Sequence, residues 1–165
     1  MRWFWIDRFT EFVPHRKATA IKNVSLAEEH LHDHYEAFPL MPTSLMIEGM
    51  AQTAGILVGQ ARDFKEKVVL AKVGKAEFTD IVLPGDQITY QAQIDSIAPE
   101  AASVTGVVLK NGTQIGQISM MFSHVDQNLA GMKFPEENFV FTGSFERLVA
   151  PFLQGDAPVP SEESN

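Results

Sequence analysis

The chain has 165 residues, enough for one domain with a real core, and its 45% hydrophobic and 21% charged content is that of an ordinary globular protein. It contains no cysteine, which excludes disulfides, thiol nucleophiles and zinc–thiolate sites. The net charge of −8 argues against nucleic-acid binding, which needs clustered Lys and Arg. That charge is uneven. From Val125 onward seven acids (Asp126, Glu136, Glu137, Glu146, Asp156, Glu162, Glu163) stand against two bases (Lys133, Arg147), which leaves −3 for residues 1–124. The opening run Met-Arg-Trp-Phe-Trp-Ile-Asp-Arg is broken by charge and does not read as a signal peptide. No apolar stretch approaches the length of a membrane span, so a cytoplasmic location is expected.

In chain order, Thr10 to Val24 reads as a strand pair or one bent strand, with Pro14-His15-Arg16-Lys17 as the turn. Ala18, Ala20 and Lys22 alternate there with Thr19, Ile21 and Asn23. Ser25 to Thr43 is too irregular for a long element, and Pro39 and Pro42 brace it as an extended loop. Thr43 or Ser44 is positioned to cap a helix that ends near Arg62. Its apolar residues run around most of the circumference, which predicts a buried helix. Glu48, Gln52, Gly55 and Gly59 recur at spacings of four, three and four, which places them on one small or polar face. Four strands follow: Lys67 to Phe78, Gln87 to Ile97, Ala102 to Lys110, and Thr113 to Val125. Pro84-Gly85-Asp86 and Asn111-Gly112 separate them, and Asn-Gly between alternating runs is a strong hairpin signal. The expected fold is α+β, one long buried helix wrapped by a curved antiparallel sheet. Beyond Val125, Ser144 to Leu153 reads as a short helix whose end Pro151 interrupts. Residues 156–165 read as a loose tail.

An acid inside an apolar helix is costly to bury unless it is paired or used. Glu48 is such an acid, and His34 lies fourteen positions before it. The two make an acid/base pair of the kind that moves protons near neutral pH. The segment that holds them resembles the hotdog-fold 3-hydroxyacyl-(acyl-carrier-protein) dehydratases, whose pattern is His-Phe-Pro-Gly-x-Pro-x-x-Pro-Gly-x-Leu-x-x-Glu-Ala-Met-Ala-Gln. His34, Pro39, Pro42, Leu45, Glu48, Met50, Ala51 and Gln52 stand at matching positions. Ile6-Asp7-Arg8, Ala20-Ile21-Lys22-Asn23-Val24, Gly74-Lys75-Ala76-Glu77-Phe78 and Pro84-Gly85-Asp86 match on either side. The resemblance covers about residues 3–124. It implies a hotdog domain over 1–124 and an extension over 125–165.

The resemblance implies a chemistry as well. His34 removes the proton beside the thioester carbonyl, and Glu48 protonates the departing hydroxyl. The backbone N–H of Thr43 or its neighbour, at a helix N-terminus, polarises the thioester oxygen. Gln52, one turn after Glu48, holds the carboxylate or its water. His and Glu of one site come from two subunits, so a dimer or a dimer-based oligomer is implied, with acyl carrier protein as the substrate-bearing partner. No metal or other cofactor is implied. Glutamate at position 48, in place of aspartate, resembles the branch that only dehydrates. Departures from the pattern are Asp33 and Thr43 for glycine and Glu36-Ala37 for Pro-Gly.

Other residues have plainer readings. His30, His32 and His34 would share one face of a strand, which could hold a metal, but the proline-braced loop favours entrance residues. Phe9, Phe12, Phe38 and Met41 fit an acyl tunnel or simple core packing. Arg62, Lys65 and Lys67 fit either an exposed helix end or a dock for an acidic carrier. His15 and His124 have no partner in sequence. A thioesterase on the same fold and a non-catalytic acyl-binding module are the rival functions, because fold alone does not choose between them.

Overall fold

The computed structural model describes residues 3–33, 37–125 and 143–153. Its strands are β1 (Arg8–Val13), β2 (Lys17–Asn23), β3 (Val68–Phe78), β4 (Gln87–Ile97), β5 (Ala101–Lys110) and β6 (Thr113–His124). Its helices are α1 (His30–Asp33), α2 (Thr43–Gln60) and α3 (Gly143–Leu153). The strands form one antiparallel sheet in the order β1-β2-β4-β5-β6-β3. After β2 the chain crosses through α2 to the far edge of the sheet, and then returns to place β4 beside β2. Register shifts interrupt four of the five strand pairings, two of them between β3 and β6. Such bulges bend strands and let the sheet curl around a helix. This is the expected hotdog arrangement.

Local chemistry explains the turns. The β5–β6 loop is two residues long, with Asn111 at φ 50° and Gly112 at φ 87°, the left-handed pair that matches the twist of a tight hairpin. Asn111 also accepts the N–H of Gln87 at 2.9 Å, and its side chain donates to Asp86 at 2.7 Å. One hairpin tip is thereby tied to the neighbouring turn.

The core lies between α2 and the concave face of the sheet. Met46, Met50, Ala54, Ile56, Leu57 and Val58 of the helix are buried there with Ile88, Tyr90, Val104 and Ile118 of the strands. Lys22 joins the inward row of β2, as the alternation predicts. Its ammonium is paired with Glu28 at 2.5 Å and lies 3.6 Å from Asp7, the pairing that a buried charge requires. Asp7 also accepts the backbone N–H of Asn23 at 2.7 Å. The matching segments around Asp7 and Lys22 are therefore braces of the fold.

Three expectations need correction. The cap position of α2 is Pro42, at φ −58° and ψ 134°, with no side-chain cap hydrogen bond, so neither Thr43 nor Ser44 caps the helix. The fixed φ of proline suits a helix entrance, and the Pro42 carbonyl accepts the N–H groups of Leu45 at 3.0 Å and Met46 at 3.3 Å. The loop before α2 contains one helical turn, α1, so His30 and His32 are not on a strand and the one-face metal geometry does not arise. Pro151 lies inside α3, and the helix continues to Leu153. Residues 154–165 lie outside the described residues.

Candidate active site

Glu48 and Gln52 stand one turn apart on α2, and their side chains touch. The Gln52 amide donates to Glu48 Oε1 at 3.1 Å and to the backbone carbonyl of Trp3 at 2.8 Å, while its oxygen accepts the backbone N–H of Trp5 at 2.9 Å. With both kinds of partner supplied, the amide has one orientation. Gln52 thus does two jobs: it aligns the Glu48 carboxyl and clamps the N-terminal segment against the helix. Trp5 is buried, and its ring meets His30 edge-on at 4.9 Å. Burial holds His30 below the ordinary imidazole range, against a raising effect from Glu28 and with a lowering one from Lys22.

Beside this polar pair is a cavity of about 360 Å³. That is the lower end of ordinary ligand pockets, roughly 300–1,000 Å³. Ala51, Gly55 and Ile56 continue the Glu48 face of α2 along it, and Val68 and Phe122 form the opposite side. The expected small-residue face therefore lines a real space as far as Gly55. One carboxyl at the rim of an apolar channel suits a substrate with a polar reacting end and a hydrocarbon tail.

The other proposed site residues are placed as follows. His34 lies outside the described residues, as do Tyr35 and Glu36. Thr43 is the first residue of α2 and is exposed. Its N–H has no acceptor within the helix, and it precedes Glu48 by about 7.5 Å along the helix axis. Phe38 is 50% exposed and Met41 is fully buried in the core; neither lines the cavity. Phe9 and Phe12 pack edge-to-face at 5.2 Å within the core. Of the three candidate docking cations only Lys65 is exposed. Lys67 is buried and the Arg62 guanidinium donates to the carbonyl of Ala98, so no three-residue basic patch forms. His124 does have a partner: it is fully buried and its Nδ1 is hydrogen-bonded to Glu66, 58 residues away. Sequence spacing carries no sign of that pair. Trp3 and Phe145 also line the cavity, a placement that sequence spacing does not give for either, although Phe145 reads in the sequence as part of a segment that packs on something.

Fold and site together define a hotdog domain with a carboxyl-bearing central helix. The FabA-like domain family matches residues 3–119, and the chain belongs to that family. Among curated relatives, 3-hydroxyacyl-(acyl-carrier-protein) dehydratase FabZ of Caldanaerobacter subterraneus subsp. tengcongensis is 38% identical over 111 residues, 67% of this chain and 78% of that protein. The same-named protein of Thermoanaerobacter sp. (strain X514) is 35% identical over 118 residues, 71% of this chain and 83% of that one. Among solved structures, the dehydratase heterocomplex ApeI:P from Xenorhabdus doucetiae aligns with a TM-score of 0.63 at 14% identity, covering 74% of this chain and 83% of the other. The protein PH1136 from Pyrococcus horikoshii aligns at 0.62 and 14%, covering 77% and 88%. These structural likenesses concern the fold.

Proposed function

We propose that this chain is a dehydratase of 3-hydroxyacyl thioesters carried by acyl carrier protein, forming trans-2-enoyl thioesters in fatty acid or related lipid biosynthesis. The observation that carries the reading is Glu48. It is an acid held by Gln52 at the rim of an apolar cavity, on the helix whose sequence matches the family pattern. His34 takes the C2 proton, the freed electron pair forms the C2–C3 double bond, and the C3–O bond breaks. Glu48 protonates the leaving oxygen, and water departs. The Thr43 N–H, at the positive end of α2, stabilises charge on the thioester oxygen.

The acting unit is a dimer in which His34 of one chain faces Glu48 of the other. Strand β3 supports this reading. It is an edge strand of the sheet, and Leu70 and Val73 on it are exposed, as is Met121 on adjoining β6. Long exposed edges with apolar side chains are pairing sites.

Incubation with 3-hydroxyacyl and saturated acyl thioesters of carrier protein tests the function. Enoyl product is expected. Free thiol would replace the reading with a thioesterase, and no product with either substrate would leave an acyl-binding module.

A further inference from the structure

The cavity beside Glu48 is not closed by the family domain alone. The family match ends at residue 119, yet Phe145 lines the same cavity as Glu48, Gln52 and Gly55. Phe145 belongs to α3, in the extension beyond that match. Its position is set by the rest of the helix. Phe145, Leu148, Val149 and Phe152 fall at the i, i+3, i+4, i+7 spacing of one apolar stripe, and all four pack on the core. Val149 is fully buried, Phe152 lies 6.4 Å from Phe12, and the Phe145 ring packs at a tilt of 51° against Phe4 with centroids 4.6 Å apart. Trp3 closes the wall next to it, held through its carbonyl by Gln52.

We propose that α3, through Phe145, is the specificity-determining wall of the acyl pocket, so that the C-terminal extension sets which acyl lengths reach Glu48. The inference rests on the dehydratase reading for the identity of the tail. Apart from Glu48 and Gln52 the lining is apolar, with Ile56, Val68 and Phe122 beside the small Ala51 and Gly55, which suits a hydrocarbon chain. The reacting carbons must lie at Glu48. The tail then runs along Ala51 and Gly55, and a rigid aromatic ring at the side of that path limits its length or bulk. A pocket distinguishes substrates that differ by a methylene by roughly tenfold or more.

The test uses the full chain with Phe145→Ala and Phe145→Trp. Rates on short, medium and long 3-hydroxyacyl thioesters are compared as ratios of kcat/KM. Phe145→Ala should move the long-to-short ratio toward long chains by about tenfold, and Phe145→Trp should move it the other way. Ratios equal to wild type in both variants, whatever happens to the overall rate, would show α3 to be a structural brace only and overturn the proposal. A second readout does not need turnover. The two tryptophans of the chain are Trp3 and Trp5, so their fluorescence reports ligand in this cavity. Titration with unreactive acyl-pantetheine analogues of rising length should show the same opposite shifts. Length-dependent binding without dehydration would keep the wall and remove the dehydratase reading. Dehydration with unshifted ratios and length-blind binding would do the reverse.

Discussion

Two faces of α2 are built on opposite rules. On one face Glu48 and Gln52 border open space, and their polar atoms are tied to each other and to the N-terminal segment. One residue further on, Gly49 meets the sheet so closely that an added Cβ would lie 2.5 Å from the ring of Tyr90. Tyr90 is fully buried, and its hydroxyl has no hydrogen-bond partner among the described residues; burial pushes its ionisation far up. The family pattern has alanine where this chain has Gly49, and here the tyrosine ring takes the space. A site that must hold a carboxyl to within a fraction of an ångström is thus mounted on a helix locked from behind. The working face is open because the supporting face is not.

The largest effect should come from the open face. Glu48→Gln keeps the shape and removes the acid, and we expect a loss of about a hundredfold or more in dehydration with melting temperature almost unchanged. His34→Ala should lose as much. Mixing the two inactive chains should restore partial activity, because one intact His34–Glu48 site forms in each heterodimer. No recovery, with subunit exchange confirmed, would place both residues of a site in one chain.

The locked face should answer in stability. Overpacking at Gly49→Ala costs about 1–3 kcal/mol, and the 2.5 Å approach to the Tyr90 ring points to the upper end of that range. After a helix-propensity gain of about 1 kcal/mol the variant should be less stable by up to about 2 kcal/mol in denaturant titration. Tyr90→Phe removes a buried unpaired hydroxyl and should be neutral or stabilising alone. Combined with Gly49→Ala it should recover part of the loss. Equal losses in the single and double variants would mean that the ring plane, not the hydroxyl, is the obstacle.

Gln52→Ala joins the two faces, since the side chain serves both Glu48 and the N-terminal segment. About tenfold lower turnover and about 1–2 kcal/mol lower stability are expected from the lost hydrogen bonds. A rate loss with unchanged stability would show that the clamp on Trp3 and Trp5 is unimportant. Thr43→Gly opens the approach to the helix N-terminus and should raise turnover on short thioesters a few-fold. Its stability cost should be a few tenths of a kcal/mol, since no cap hydrogen bond is lost. Unchanged or abolished turnover would make threonine part of the substrate geometry.

The smallest effect is pH-dependent. Burial lowers the affinity of folded His30 for a proton, so below about pH 6.5 the unfolded chain takes up more protons and this part of the stability is lost on acidification. His30→Gln should therefore lose slightly less melting temperature than wild type between neutral pH and about pH 5.5. Identical slopes would remove His30 from the acid response.

Much of the fold was legible because it rests on local chemistry. Asn111-Gly112 demands a left-handed pair, alternation in β2 sends Ala18, Ala20 and Lys22 inward, and an all-round apolar α2 must be buried. Glu48 and Gln52 were legible as a pair because four residues is one helical turn. The expected threonine or serine cap failed because α2 already begins at Thr43, which leaves Pro42, with its fixed φ, at the cap position. His124 could not be paired with Glu66 by inspection, nor Lys67 seen as buried, because sheet order decides both.

By itself, then, the sequence determined the elements, the buried helix and the acid on one face of it, since each follows from spacing within a few residues. Tertiary structure decided what surrounds that acid. Gln52 reaches Trp5 across 47 positions, and Phe145 enters the cavity from a short helix of the extension whose place against the core no local spacing gives. No periodicity links residues so far apart. Only the tertiary fold, which packs α2 on the sheet and α3 on β1, puts them in contact.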